Sequence, residues 1–169
     1  DETRVVWPLA GDGAGNFVLS GPLGGTSAIG MTNEFELGDL DGDGDLELVG
    51  SGVGVLPNLG GLAFGSVVVT PSFVGGQAIE LADFDGDGDL DVMMTRNANS
   101  PSDEVAFLCN DGNGVLSAWR RIGSELTCGA DLAPADFDGD GDLDIAVVGL
   151  EAGEQRIMIS FNRGGGAYN

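Results

Sequence analysis

The stretch Asp39-Leu-Asp-Gly-Asp-Gly-Asp-Leu-Glu47 recurs as Asp83-Phe-Asp-Gly-Asp-Gly-Asp-Leu-Asp91 and as Asp136-Phe-Asp-Gly-Asp-Gly-Asp-Leu-Asp144. Each copy carries carboxylates at positions 1, 3, 5, 7 and 9 and glycines at positions 4 and 6. Five like charges within nine residues repel one another, each close pair by about 1–4 kcal/mol once a compact loop brings them within several ångströms. A folded chain tolerates this when a cation sits among the carboxylates. The donors are all oxygen, with no His or thiolate in the loop, which points to Ca²⁺ and its six to eight oxygen ligands in flexible geometry. Mg²⁺ fits less well, since it demands a tight octahedron and dehydrates reluctantly. The plain alternative is three solvated, Gly-rich turns, and threefold repetition of a nine-residue pattern argues against it. An EF-hand shares the early Asp spacing but needs a bidentate Glu at position 12 and helices on both sides. Position 12 is Gly50, Met94 or Val147 and the flanks are strand-like, so an EF-hand is excluded.

Working outward, the 169 residues hold 28 Asp and Glu against six Arg, with no Lys and no His, for a net charge of −22. No basic patch is available to neutralise phosphates, so nucleic acid and anionic membrane surfaces are excluded as partners. Without His the chain lacks the commonest general base and the commonest transition-metal ligand, which excludes His-based triads and zinc or copper centres of the usual kind. Hydrophobic content of 42% supports a core, so the acidity does not signal disorder. No apolar run approaches the roughly 18–20 residues of a membrane-spanning helix, and membrane insertion is not expected. The chain opens at Asp1 without a signal-peptide pattern, which reads as a processed product or an excised segment.

A second pattern alternates with the acidic loops. Gly11–Phe17, Asn58–Phe64, Asn110–Leu116 and Asn162–Tyr168 each open a Gly-rich turn with Asn or Gly and place a large apolar residue six positions later. Such turns need positive φ and read as hairpin connections. The loops recur after 44 and 53 residues and the turns after 47, 52 and 52. Periods of this size, with several short strands per unit, belong to propeller blades. Each unit parses into strands A to D. Strand A enters the acidic loop (34–40, 77–84, 130–137) and strand B leaves it as an apolar run (46–49, 90–94, 143–148). Strand C precedes the turn (53–57, 105–109, 156–161) and strand D follows it (64–70, 116–122). Continuous apolar runs suit strands buried on both faces, and no segment shows capped helical periodicity. The expected fold is all-β: a partial β-propeller of three to four blades of four antiparallel strands. Residues 1–25 form a C–D hairpin in which 4–9 is strand C, 30–74 and 77–124 are whole blades, and 129–169 lack strand D. This count implies a segment of a longer propeller, or one completed by neighbouring chains.

Phe35–Gly52 resembles the FG-GAP/VCBS repeat, as do the stretches around Asp83 and Asp136. The resemblance implies a propeller of six to eight blades when complete, with Ca²⁺ in the loop between the first two strands of a blade. It implies side-chain ligands at positions 1, 3, 5 and 9 and a backbone carbonyl at position 7. Those positions are Asp39, Asp41, Asp43, Asp45 and Glu47; Asp83, Asp85, Asp87, Asp89 and Asp91; and Asp136, Asp138, Asp140, Asp142 and Asp144. Glu47 departs from the usual Asp by one methylene. The side chains of Asp45, Asp89 and Asp142 are expected to add only long-range attraction. The family is shared by integrin α-subunit heads and by secreted lectins and polysaccharide lyases.

Extracellular calcium levels suit three such sites, so the chain is expected to be secreted or exposed at the cell surface. Cys109 and Cys128 are candidates for a disulfide fastening adjacent blades. Trp7, Trp119 and Tyr168 could stack on sugars, although such residues more often close a blade's apolar layer. Arg120 and Arg121 are expected to partner nearby carboxylates. No acidic pair stands out as a glycosidase acid and base. The expected function is a calcium-bound binding, adhesion or assembly scaffold for a protein or glycan ligand, and not an enzyme. The rivals are part of a secreted carbohydrate-active lyase or hydrolase, and a self-assembling extracellular fibre or layer subunit.

Overall fold

Every acidic loop joins two strands that pair with each other, and this connection sets the architecture of the computed structural model. It describes residues 6–23, 34–52, 54–61, 63–70, 76–96, 105–117, 120–122, 127–151 and 154–169. All regular elements among them are strands. β1 (Leu9–Gly11) and β2 (Phe17–Leu19) form a hairpin. A four-stranded sheet follows, with β3 (Phe35–Gly38), β4 (Glu47–Gly50), β5 (Gly54–Leu56) and β6 (Val68–Val69) in sequence order. A second contains β7 (Gly76–Ala82), β8 (Asp91–Arg96), β9 (Val105–Leu108) and β10 (Arg120–Ile122). A three-stranded sheet of β11 (Thr127–Ala135), β12 (Asp144–Glu151) and β13 (Glu154–Ser160) ends the chain. All pairings are antiparallel between sequence neighbours, the meander of a propeller blade.

Boundaries differ from the expected strands where the backbone cannot continue a ladder. The first strand lies at Leu9–Gly11 and not at 4–9, of which residues 4 and 5 lie outside the described set. Pro8 has no N–H to give, so it only accepts, from Ser20 N–H at 2.9 Å. The fourth strands are shorter than expected, two or three residues, preceded by isolated bridges Asn58↔Phe64 and Asn110↔Leu116.

The sheets stack through side chains that alternate along each strand, as the pleat requires. In β8, Val92 and Met94 join Leu40, Val49 and Val55 of the preceding blade, while Met93 turns the other way to Leu132, Ile145 and Val147 of the following one. β8 and β9 are therefore buried on both faces, which explains their unbroken apolar runs. Leu48 and Leu56 pack with Val6 and Leu23 from the first hairpin. The first strands of successive blades lie side by side, β7 against both β3 and β11. They bring Glu34, Glu36, Glu80 and Asp131 together: desolvation, then repulsion from Glu36, Glu34 and Asp131, raises the Glu80 carboxyl above its ordinary value.

Candidate metal centres

The three acidic loops adopt one conformation, imposed by their own carboxylates. Position 1 accepts from the two glycine amides: Asp39 from Gly42 N–H at 2.8 Å and Gly44 N–H at 3.0 Å, with Asp83 and Asp136 repeating the pair at 2.7 and 3.1 Å. Position 3 accepts from the amide of position 5, as Asp41 does from Asp43 at 3.2 Å, and position 5 from that of position 7, as Asp43 does from Asp45 at 2.9 Å. The same links recur in the other loops. The last glycine of each loop needs a φ of 93–100°, which side chains rarely adopt.

These bonds fold the loop so that carboxylate oxygens gather. Oxygen atoms of Asp39, Asp41 and Asp43 lie within 4.8 Å of each other, as do those of Asp83, Asp85 and Asp87, and those of Asp136, Asp138 and Asp144. A calcium ion holds ligands at about 2.3–2.6 Å and so spans oxygens up to about 5 Å apart. The donor set is hard, anionic and flexible, and it fits that ion. Asp138 carries the electrostatic signature of the crowding: desolvation and then Asp140, Asp144 and Asp136 raise its carboxyl. The side chain of Asp140 accepts from Asp142 N–H at 3.0 Å without joining the third group.

Position 9 does something its place in the sequence pattern did not announce. Glu47, Asp91 and Asp144 are buried, and each carboxylate bridges two backbone amides. Asp91 Oδ2 accepts from Phe84 N–H at 3.1 Å and Oδ1 from Asn110 N–H at 2.9 Å; Asp144 takes Phe137 and Asn162 N–H, both at 2.8 Å. The extra methylene of Glu47 lets it reach Leu40 N–H at 2.7 Å and Asn58 N–H at 3.3 Å, and its oxygens do not join the first group of three. Position 9 thus staples the acidic loop to the Asn turn of its own blade. Burial raises the Asp91 carboxyl from the usual 3.8 to about 6; Asp85 and Asp87 add to the rise, and the amides of Asn110 and Phe84 oppose it.

Position 7 faces the same turn. A β-carbon on Gly112 would collide with the carboxylate of Asp89, and one on Gly60 would lie 3.3 Å from Asp45 Oδ2. Asp142 sits similarly, 3.7 Å from that point on Gly164. These side chains pack on the turns and are not merely distant charges.

Two expectations are corrected. The Cys109–Cys128 bridge is not formed, and Cys109 is a free thiol. Cys109 follows β9 at the acidic-loop end of its blade, where it groups with Asp85 and Asp91. Cys128 is the second residue of β11, whose neighbour Thr127 pairs Leu150 at the opposite end of the sheet, too far for a disulfide's Cα separation of about 4.4–6.8 Å. Its side chain lies outside the described residues. Desolvation, a hydrogen bond to Asp85 and the charge of Asp91 keep the Cys109 thiol protonated. Arg120, in turn, pairs no carboxylate among the described residues: its guanidinium lies 4.4 Å over the Phe107 ring, with Nη2 3.9 Å from Cys109 Sγ.

The aromatic candidates divide. Tyr168 closes an apolar layer, its ring edge-on to Phe107 at 6.3 Å and its hydroxyl donating to Leu143 O at 2.7 Å. Trp7 is 51% exposed. Trp119 lies outside the described residues.

Residues 83–147 match the FG-GAP-like repeat family. No curated protein matches the chain. Among solved structures it is similar to a lectin from Agrocybe aegerita, described as recognising non-reducing terminal N-acetylglucosamine, with a TM-score of 0.67 and 23% identity. The match covers 98% of this chain and 45% of the lectin, so the chain spans less than half the length of that β-propeller.

Proposed function

We propose that this chain, whose residues 83–147 match an FG-GAP-like repeat and whose sheets fold as propeller blades, is an extracellular calcium-stabilised scaffold that presents a surface to a glycan or protein ligand. The ions are structural: each ties strand A to strand B at the end of a blade and cancels the repulsion within the loop. One observation carries this reading. In three loops the same backbone-to-carboxylate hydrogen bonds recur, and in each loop three carboxylates bring oxygens within 4.8 Å of one another, at positions 1, 3 and 5 in the first two and at 1, 3 and 9 in the third. Solvated turns have no reason to repeat that arrangement. Free calcium at 100 times the dissociation constant adds about 2.7 kcal/mol per site, and extracellular modules bind at about 10⁻⁴–10⁻³ M. Such sites fill outside cells and stay empty in the cytosol. A glycan is the favoured ligand class, on the likeness to the lectin propeller.

Exposed apolar side chains on the last strand, Ile157 and Ile159, and on the first hairpin, Phe17 and Val18, favour cover by further blades. Isothermal titration of the chelated chain with calcium is expected to give saturable binding near three ions per chain. Absence of binding at millimolar calcium would refute the scaffold reading. A glycan array run with and without calcium tests the ligand class, with a calcium-dependent signal expected; a blank array alongside normal calcium binding would leave a protein ligand.

A further inference from the structure

Asn110 and Asn162 open turns in which Gly would meet the conformational need, yet both are buried. Asn110 even buries an Oδ1 with no donor among the described residues, whereas the Oδ1 atoms of Asn58 and Asn162 accept from Gly60 and Gly164 N–H at 3.1 Å. What the amide does in return is cross to the preceding blade. Asn110 Nδ2 donates to Leu40 O at 2.7 Å, seventy residues away, and Asn162 Nδ2 to Phe84 O at 2.9 Å. Leu40 and Phe84 hold the same place, position 2 of successive acidic loops. Gly114 N–H also donates to Leu40 O at 3.0 Å, so the turn of one blade rests on the loop of the blade before it.

Together with the position-9 staples these bonds form a continuous chain. Glu47 holds Leu40 N–H; Leu40 O holds Asn110 Nδ2; Asn110 N–H meets Asp91. Asp91 holds Phe84 N–H; Phe84 O holds Asn162 Nδ2; Asn162 N–H meets Asp144, which also holds Phe137 N–H. Each asparagine therefore joins the backbone of one acidic loop to the buried carboxylate of the next. Among the described residues, the Asn58 amide donates within its own blade, to Leu46 O at 3.2 Å.

We propose that Asn110 and Asn162 are positioning residues that couple adjacent acidic loops, so that the three loops take up calcium cooperatively and not as independent sites. An ion in the 39–47 loop fixes Leu40 O, which fixes Asn110 and through its N–H the orientation of Asp91. The coupling is reciprocal, since each loop gains what its neighbour gains. The inference rests on the calcium reading above.

The test is a calcium titration of the ¹⁵N-labelled full chain, followed at the backbone amides of Gly44, Gly88 and Gly141, one reporter in each loop. In the wild-type chain the three reporters are expected to move together with a Hill coefficient above 1; independent hyperbolic curves overturn the proposal. Asn110→Ala keeps the backbone N–H to Asp91 and the Gly114 N–H on Leu40 O but removes the side-chain bond from Asn110 to Leu40 O. It is expected to weaken binding roughly tenfold at the Gly44 reporter, in the range typical of site-to-site coupling, and to flatten the curves. Asn58→Ala, cutting a bond inside one blade, is expected to leave the cooperativity as it was. Equal curves for Asn110→Ala and wild type also overturn the proposal. If Asn110→Ala does not fold, Asn162→Ala puts the same question to the Gly88 reporter, and the wild-type curve shapes decide if neither folds. Glycine amides blind to calcium would instead refute ion binding itself, a result distinct from non-cooperative binding.

Discussion

Removing the Asp91 carboxylate is the sharpest single perturbation of the staple between the acidic loop and the Asn turn. The side chain is fully buried and accepts from Phe84 and Asn110 N–H at 3.1 and 2.9 Å. Hydrogen bonds to a charged group contribute about 1.5–3 kcal/mol each, so Asp91→Ala forfeits about 3–6 kcal/mol and leaves two buried donors unpaired. Part of that is returned, because the carboxylate no longer has to be held out of water. A net loss of about 2–4 kcal/mol corresponds to about 4–16 °C in the melting temperature of a chain this size. Asp91→Asn keeps one acceptor but turns an amide donor toward a second donor, and falls between Ala and wild type. Melting followed by circular dichroism in chelator isolates the staple from any ion. If both variants melt within about 2 °C of the wild type, too little for even one lost charged hydrogen bond, the assignment of position 9 as a structural staple is wrong.

Three further outcomes follow from the same geometry. Asp91 titrates near 6 in the fold against the usual 3.8, so between those values the native chain holds a proton that the unfolded chain has released. Calcium-free stability is therefore expected to fall as pH climbs from about 4 to about 6, while calcium affinity rises, and urea midpoints across that range check the sign. Gly88→Ala meets no atom within 4 Å but must adopt a φ of 100°; a backbone cost of about 1–2 kcal/mol is expected, read as a lower urea midpoint. Reductant is expected to leave the melting temperature unchanged, and the intact mass of non-reduced protein should correspond to two free thiols, since Cys109 is unbridged.

The residues differ in how plainly they announced these roles. The carboxylate spacing of the three loops made the blade repeat legible, because charges that crowded make sense only in one kind of loop. The apolar runs after each loop located β4, β8 and β12 to within a few residues; β4 and β8 are buried on both faces, whereas β12 leaves Val148 exposed. The sequence placed β6 and β10 inside longer strands, 64–70 and 116–122, because it could not show that only two or three residues of each pair. Position 9 looked like one more ligand in the series, because spacing along a chain says nothing of the amides that burial brings to a carboxylate. Asn110 and Asn162 were read as turn formers. Their recurrence at a point where Gly11 serves equally well was the available signal that the side chain, and not the backbone, was needed. The Cys109–Cys128 pair misled because nineteen residues of separation suited a bridge, whereas strand direction puts the two at opposite ends of their sheets.

The most direct test is a crystal structure grown in calcium, with anomalous difference density collected at long wavelength. One peak is expected in each of the loops 39–47, 83–91 and 136–144, within about 2.3–2.6 Å of carboxylate oxygens at positions 1, 3 and 5 in the first two and at positions 1, 3 and 9 in the third. Loops without peaks, or calcium bound elsewhere while these carboxylates point into solvent, would contradict ions as the source of loop order.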